Sequence, residues 1–151
     1  MERHPFTLAI TAGLEAAGFP VGVAERPDGG GWEGEPNTPL AGLFRPYVVV
    51  VPLTASTSSG PMAVDSQGDW RLPYSVTSYA IRGDQVERIA DRVRAVVLAL
   101  SRAAVTTSGG GYRVVKVNLS AIGQVNRADQ TDPPFYAQTD SVELWANKEP
   151  T

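Results

Sequence analysis

The amino-acid sequence predicts an α+β fold in which two helices pack on one face of a mixed or antiparallel four-stranded sheet. The main observation is the segment from Trp70 to Arg102, whose first half alternates like a strand and whose second half has helical spacing. The pattern changes at Gly83-Asp84, where the glycine ends the strand and the aspartate suits a first helical turn. A β-branched run before this segment and two alternating stretches after it supply the other three strands. The length suits one domain spanning residues 1–151.

The first helix is predicted over residues 5–17. Pro5 suits the first helical turn, and Gly18 is a natural stop at the other end. The apolar residues of this segment recur at helical spacing and are Phe6, Ile10, Leu14 and Ala17. The next element, YVVVVPL at 47–53, is almost entirely apolar and mostly β-branched. This composition predicts a central strand that is buried on both faces.

The second helix has an apolar stripe on one side and charges on the other. The stripe consists of Val86, Ile89, Ala90, Val93, Val97 and Leu100. On the opposite side, Arg88, Asp91 and Arg92 are candidates for contact with a neighbouring subunit, the alternative being a solvated helix face.

Two alternating stretches near the end of the chain, 112–122 and 135–146, predict an antiparallel hairpin with a long tip. Trp145, near the end of the second stretch, is a further candidate for contact with a subunit or partner.

Two long loops are predicted at about 25–46 and 54–69, because both segments are rich in glycine, proline or small hydroxyl residues. Trp32 lies in the first loop, between glycines and acidic residues. It either anchors a partner protein or folds back on the edge of the core, and the sequence favours neither alternative.

The residue types on which most enzyme chemistry depends are scarce. The chain has no cysteine and a single histidine, His4, which excludes a thiolate site and a histidine-based metal cluster. No phosphate-binding glycine motif is present, and the aspartates do not follow the spacing of a calcium loop. We therefore expect no catalytic residue, no cofactor and no bound metal, and we predict that the protein is not an enzyme.

The net charge is −3, from thirteen basic and sixteen acidic residues, which argues against binding to duplex DNA. No apolar run reaches the length that spans a membrane, and the first residues lack a secretory pattern. These features predict a soluble protein that is intracellular when made and has no membrane partner.

The segment from Tyr74 to Leu100, YSVTSYAIRGDQVERIADRVRAVVLAL, resembles the tail terminator and tail-completion proteins of long-tailed bacteriophages. The preceding helix, the VVVV strand and the terminal hairpin agree with that family in their order along the chain. The loop at 25–46 is longer than in the shortest members. The resemblance implies a structural subunit of the virion tail or neck that is assembled in the host cytoplasm.

In such a virion the subunit forms a hexameric ring that caps the finished tail tube, ends its polymerisation and joins the tail to the head. The implied partners are further copies of the chain, the tail tube protein and a head–tail connector or neck protein. Double-stranded DNA would only pass through the lumen of the ring.

Three alternatives remain open at this point. The first is another neck or head–tail connector subunit of the same kind of particle. The second is a small α+β enzyme or ligand-binding domain, and the third is a bacterial adaptor that uses Trp32 and its loop to hold a partner.

Overall fold

A computed structural model of the protein describes residues 3–32, 44–57, 69–108, 110–128 and 135–149. Two helices and nine strands follow one another along these residues. In chain order they are α1 (His4–Ala16), β1 (Val21–Val23), β2 (Gly31–Trp32), β3 (Phe44–Arg45), β4 (Tyr47–Pro52), β5 (Ser56–Thr57), β6 (Asp69–Ala80), α2 (Gly83–Leu98), β7 (Ala104–Thr107), β8 (Gly110–Ala128) and β9 (Phe135–Lys148).

One curled, mixed sheet makes up most of the fold. Six strands lie in the order β1-β4-β6-β9-β8-β7, and the short β5 adds to one end of β6. Strand β1 runs parallel to β4, and the other neighbours in the sheet are antiparallel. Strands β2 and β3 form a separate antiparallel ribbon, in which Trp32 pairs with Phe44.

The curl of the sheet is visible in the contacts of helix α1. This helix contacts both β1 and β7, the two edge strands at opposite ends of the sheet, and it also contacts α2. A flat sheet of six strands could not bring both edges to one helix, so the strands bend into a half-barrel around the helices.

The core lies on the concave side of this half-barrel. Helix α2 contacts β6, β8 and β9, and its buried residues are Val86, Ile89, Ala90, Val93 and Val97. Strand β6 directs every second residue towards the helices, and those residues are Leu72, Tyr74, Val76, Ser78 and Ala80. The hydroxyl groups of the buried Tyr74 and Thr7 lie 3.0 Å apart and share a hydrogen bond, which joins β6 to α1.

The predicted four-stranded sheet with two helices packed on one face is wrong. The four predicted strands correspond to β4, β6, β8 and β9, but β1 and β7 extend the sheet at its two edges, and the resulting six-stranded sheet is curled. Strand β1 has three residues and β7 has four, so neither is long enough to produce a readable alternation. Both helices and the antiparallel pairing of β8 with β9 are confirmed, but β8 continues to Ala128, beyond the predicted end at 122, and α2 ends at Leu98, before Leu100 of the predicted stripe.

The two predicted long loops contain short strands at their described ends. The segment 25–46 holds β2 and β3, and the segment 54–69 holds β5 and the first residue of β6. Residues 33–43 and 58–68 lie outside the described residues. Neither helix in the described part of the chain combines the length and the apolar character needed to cross a bilayer.

Replacing Val93 by aspartate tests the buried stripe of α2. Val93 is only 2% exposed, so Val93→Asp puts an unpaired carboxylate into the core. We expect the free energy of unfolding to fall by on the order of 4 kcal/mol, or folding to fail altogether. Urea unfolding followed by circular dichroism measures the change.

Ala95→Asp is the matched control, because Ala95 is exposed on the same helix. It should lower the free energy of unfolding by less than about 1 kcal/mol. Equal unfolding curves for the two variants would contradict the assignment of the buried stripe.

Candidate functional site

Helix α2 separates two open clefts, one along each flank of its buried stripe. The basic cleft is lined by Gly18, Phe19, Pro46, Gln85, Arg88, Ile89 and Arg92. The acidic cleft is lined by Glu87, Asp91, Arg94, Ile122, Gly123, Gln124, Val125 and Gln138. Because successive helical residues are about 100° apart, these two sets of α2 residues lie on opposite sides of the stripe.

The basic cleft has a volume of about 420 Å³ and an apolar floor made by Phe19 and Ile89, each 7% exposed. The guanidinium carbon of Arg92 lies 4.8 Å from the centre of the Phe19 ring, and Arg92 also donates to the carbonyl oxygen of Ala17. Arg88 is largely exposed, and its guanidinium lies 3.9 Å from the Asp84 carboxylate. The rim of this cleft is therefore positive and its floor is apolar.

The acidic cleft has a volume of about 480 Å³ and lies between α2 and the distal half of β8. Arg94 bridges two carboxylates here, with 2.8 Å between its Nε and an oxygen of Asp140 and 2.7 Å between its Nη1 and an oxygen of Asp91. Burial by itself lowers the pKa of Arg94, but hydrogen bonding and charge from Asp140 and then Asp91 raise that pKa above its usual range. Arg94 therefore stays charged and is neutralised locally.

Strand β8 is irregular beside the acidic cleft. Its register against β9 shifts between Ile122 and Val125, and the amide of Gly123 donates to a carboxylate oxygen of Asp140 at 3.1 Å. A Cβ at Gly123 would lie 1.9 Å from the carbonyl oxygen of Thr139, so this approach of the two strands requires glycine. The irregularity leaves the Ile122 residue 58% exposed at the cleft.

A second group of charged residues surrounds Trp145 on the convex face of the sheet, where β9 residues alternate with the buried Leu144 and Ala146. The guanidinium carbon of Arg71 lies 4.6 Å from the centre of the Trp145 ring, and the Lys116 ammonium lies 5.8 Å from it. Arg71 also forms an ion pair with Glu143 at 3.0 Å. The buried Nε1 of Trp145 has no hydrogen-bond acceptor within the described ranges.

An aromatic cluster lies at the other end of the convex face and consists of Phe44, Tyr47, Tyr79 and Phe135. The rings of Tyr47 and Tyr79 stack with their centres 4.5 Å apart. Burial, together with the neighbouring Tyr79, raises the pKa of Tyr47 to about 12, against a smaller lowering by Arg26. Phe44 belongs to the ribbon that contains Trp32, so this cluster holds the ribbon on the sheet.

The candidate contact residues from the sequence separate into different surfaces. Arg88 and Arg92 share the basic cleft, whereas Asp91 lies in the acidic cleft on the other flank. Trp145 lies on the convex face of the sheet, and Trp32 lies in the β2–β3 ribbon, with its side chain outside the described part of the structure.

Phe19 and Ile122, which line the two clefts, were not predicted as site residues from the sequence. Phe19 follows the glycine that ends α1 and lies outside every regular pattern. The available signal for Ile122 was Gly123, which directly follows the predicted alternating stretch 112–122, because an isolated glycine in a strand often marks a bulge that re-aims its neighbours.

Among the described residues, no group of three or more His, Asp or Glu side chains is arranged to hold a metal ion. No model of a known protein family matches the chain, and no curated protein matches it either. One similar solved structure is 21% identical in sequence, with 100% of this chain and 98% of that one covered and a TM-score of 0.46. That protein's name states no function, and a likeness of this degree assigns none to the chain.

The raised pKa of Tyr47 predicts a loss of stability at alkaline pH. The folded state keeps the Tyr47 proton up to a pKa of about 12, whereas the unfolded chain releases it near 10. The contribution of Tyr47 is therefore complete below pH 10 and is lost as the pH rises towards 12, by up to about 1.4 kcal/mol per pH unit.

Tyr47→Phe removes this titration, so the melting temperature of the variant should rise relative to wild type between about pH 10 and 12. Thermal unfolding at several pH values measures the difference between the two proteins. A difference that stays constant across this range would contradict the burial of the Tyr47 hydroxyl.

Proposed function

We propose that the protein is a structural subunit of a bacteriophage tail that assembles as a ring, caps the tail tube and joins the tail to the head or neck. In this role it resembles the tail terminator proteins, with which it shares the Tyr74–Leu100 sequence pattern. The subunit acts by contact with other protein chains. Its function therefore depends on which of its surfaces bind those chains and on the order in which the surfaces are covered during assembly.

The open edge of strand β8 is the observation that carries the proposal. Strand β8 has nineteen residues, but β7 pairs only with its first four, from Gly110 to Arg113. Beyond Val114, no strand in the described ranges pairs with this side of β8, and Val115 and Ile122 are 45% and 58% exposed. A long open edge with exposed apolar residues promotes aggregation of a free monomer. It therefore favours an assembly in which other subunits cover this edge.

The form of this edge favours side-chain contact over the addition of a strand. The register of β8 against β9 shifts at three places, between Val114 and Lys116, between Leu119 and Ala121, and between Ile122 and Val125. Such irregularities interrupt the row of backbone groups that a partner strand would need. A neighbour would therefore dock on the edge through its side chains.

The surface charges suit the remaining steps of the proposed role. A ring requires two different surfaces on each subunit that fit each other, and the two clefts beside α2 differ in charge and shape. The convex face around Trp145 stays available for the tail tube or a neck protein. With a net charge of −3, the subunit would let DNA pass without holding it, because a basic lumen would bind the phosphates.

The test is to add the purified protein to growing tail tubes of the phage that carries this sequence. We expect rings at one end of the tubes in negative-stain images and a shorter mean tube length than without the protein. Trp145→Ala should weaken the attachment, because it removes the aromatic ring between Arg71 and Lys116. The control is Trp70→Ala, at the next register position on β6 but on the opposite face, where the ring packs against the core, and thermal unfolding verifies that both variants stay folded.

Three outcomes separate the alternatives. Rings on tube ends support a terminator, whereas binding to isolated heads or neck proteins without any binding to tubes would make the chain a connector subunit. Failure to bind tubes, necks and heads would overturn the proposed function.

A further inference from the structure

We infer that the acidic cleft of one subunit docks on the basic cleft of a second copy of this chain, with Ile122 packed over Phe19 and Ile89 at the floor of that cleft. This inference rests on the proposed function, because it assigns the subunit contact of the proposed ring. The occupant of the basic cleft is thus another copy of the protein.

The apolar parts of the two clefts complement each other. Ile122 is 58% exposed and lies in the distal half of β8, which has no neighbouring strand on its outer side among the described residues. The basic cleft offers an open volume of about 420 Å³ above Phe19 and Ile89. Docking of the Ile122 side chain in this cleft would remove mainly its own apolar surface from water, because Phe19 and Ile89 are each only 7% exposed, and this burial favours association.

The charges around the two clefts are also complementary. On the basic side, three guanidinium groups accompany the single carboxylate of Asp84, and they belong to Arg82, Arg88 and Arg92. On the acidic side, three carboxylates accompany the single guanidinium of Arg94, and they belong to Glu87, Asp91 and Asp140. Opposite charges across an interface steer the approach of the subunits and disfavour wrong pairings.

One polar group supports the same arrangement. The Oε1 atom of Gln85 is buried in the basic cleft and has no hydrogen-bond donor in the described part of the chain. Gln124 is exposed next to Ile122, and its side-chain amide is a donor. A docked copy would therefore bring a donor to the side of the cleft that lacks one.

The placement of the clefts selects a ring over a two-fold dimer. A two-fold dimer would either face Arg88 and Arg92 with their own copies, which is repulsive, or need both clefts of each subunit in one interface, although the clefts lie on opposite flanks of α2. Contact between unlike clefts is heterologous and repeats from subunit to subunit until the rotation closes. Because the clefts flank one helix, α2 would lie near every subunit boundary.

Two charge-reversed proteins test the inference. The first carries Arg88→Glu and Arg92→Glu, and the second carries Glu87→Arg and Asp91→Arg. Each has two clefts of the same sign, so each alone should need at least about tenfold higher concentration than wild type to assemble. Mixed in equal amounts, the two proteins present opposite clefts to each other and should again form rings, with the variants alternating.

Sedimentation velocity over a range of concentrations measures assembly, and thermal unfolding verifies that each variant is folded. The control protein carries Glu25→Arg and Lys148→Glu, which reverse one exposed charge of each sign outside both clefts. This protein should assemble like wild type. A second pair of variants tests the same contact if a charge variant fails to fold. Ile122→Asp should abolish assembly, whereas Leu8→Asp, at a similarly exposed apolar residue of α1, should not.

The inference is supported if assembly recovers only when the two charge variants are mixed. Assembly of either charge variant at the wild-type concentration, or of Ile122→Asp, overturns it, as does a wild-type protein that stays monomeric at every concentration. The proposed function is tested separately. If a charge variant still assembles and caps tail tubes, the proposed function stands and only this contact is refuted.

Discussion

The contact of helix α1 with both edges of the sheet is the constraint on which the rest of the structure depends. Strands β1 and β7 are the outermost strands, and both reach α1 only because the intervening strands curl around the helices. The concave side is thereby filled by the apolar stripe of α2 and by alternate residues of β6 and β9. The hydrogen bond between Thr7 and Tyr74 joins α1 to the centre of the sheet. Residues that point the other way along the same strands remain available for contact with other chains.

The separation of a buried concave side from an outward-facing convex side explains where the candidate surfaces lie. Because α2 buries one stripe, its two flanks open to solvent, and the neighbouring segments turn them into clefts of opposite charge. Strand β8 is longer than β7, so its distal half forms an open edge of the sheet. The bulge at Gly123 leaves Ile122 exposed at this edge. The convex face has Trp145 at one end and the aromatic cluster around Tyr47 at the other. Each surface follows from how the curled sheet covers α1 and α2.

Long periodic elements could be predicted from the sequence, whereas short elements and side-chain groupings could not. The stripe from Val86 to Val97 repeats often enough to define α2, and the hairpin strands alternate over many residues. Strand β7 has only four residues, so its pairing, and with it the curl, depends on tertiary contacts that leave no local pattern. Arg88 and Asp91 were both candidates from their charge, but helical spacing alone does not reveal that Phe19 and Ile122 meet them from distant segments.

The central claim is that the two flanks of α2 meet in neighbouring subunits, and paired cysteines test it most directly. The natural chain has no cysteine, so Arg88→Cys and Ile122→Cys provide the only thiols for a short bismaleimide cross-linker. A chain with both substitutions should give a ladder of linked subunits that ends at the closed ring, and a mixture of the two single variants should give only dimers. Dimers formed by Arg88→Cys alone, or no linked species from the double variant under conditions in which it assembles, would contradict the account.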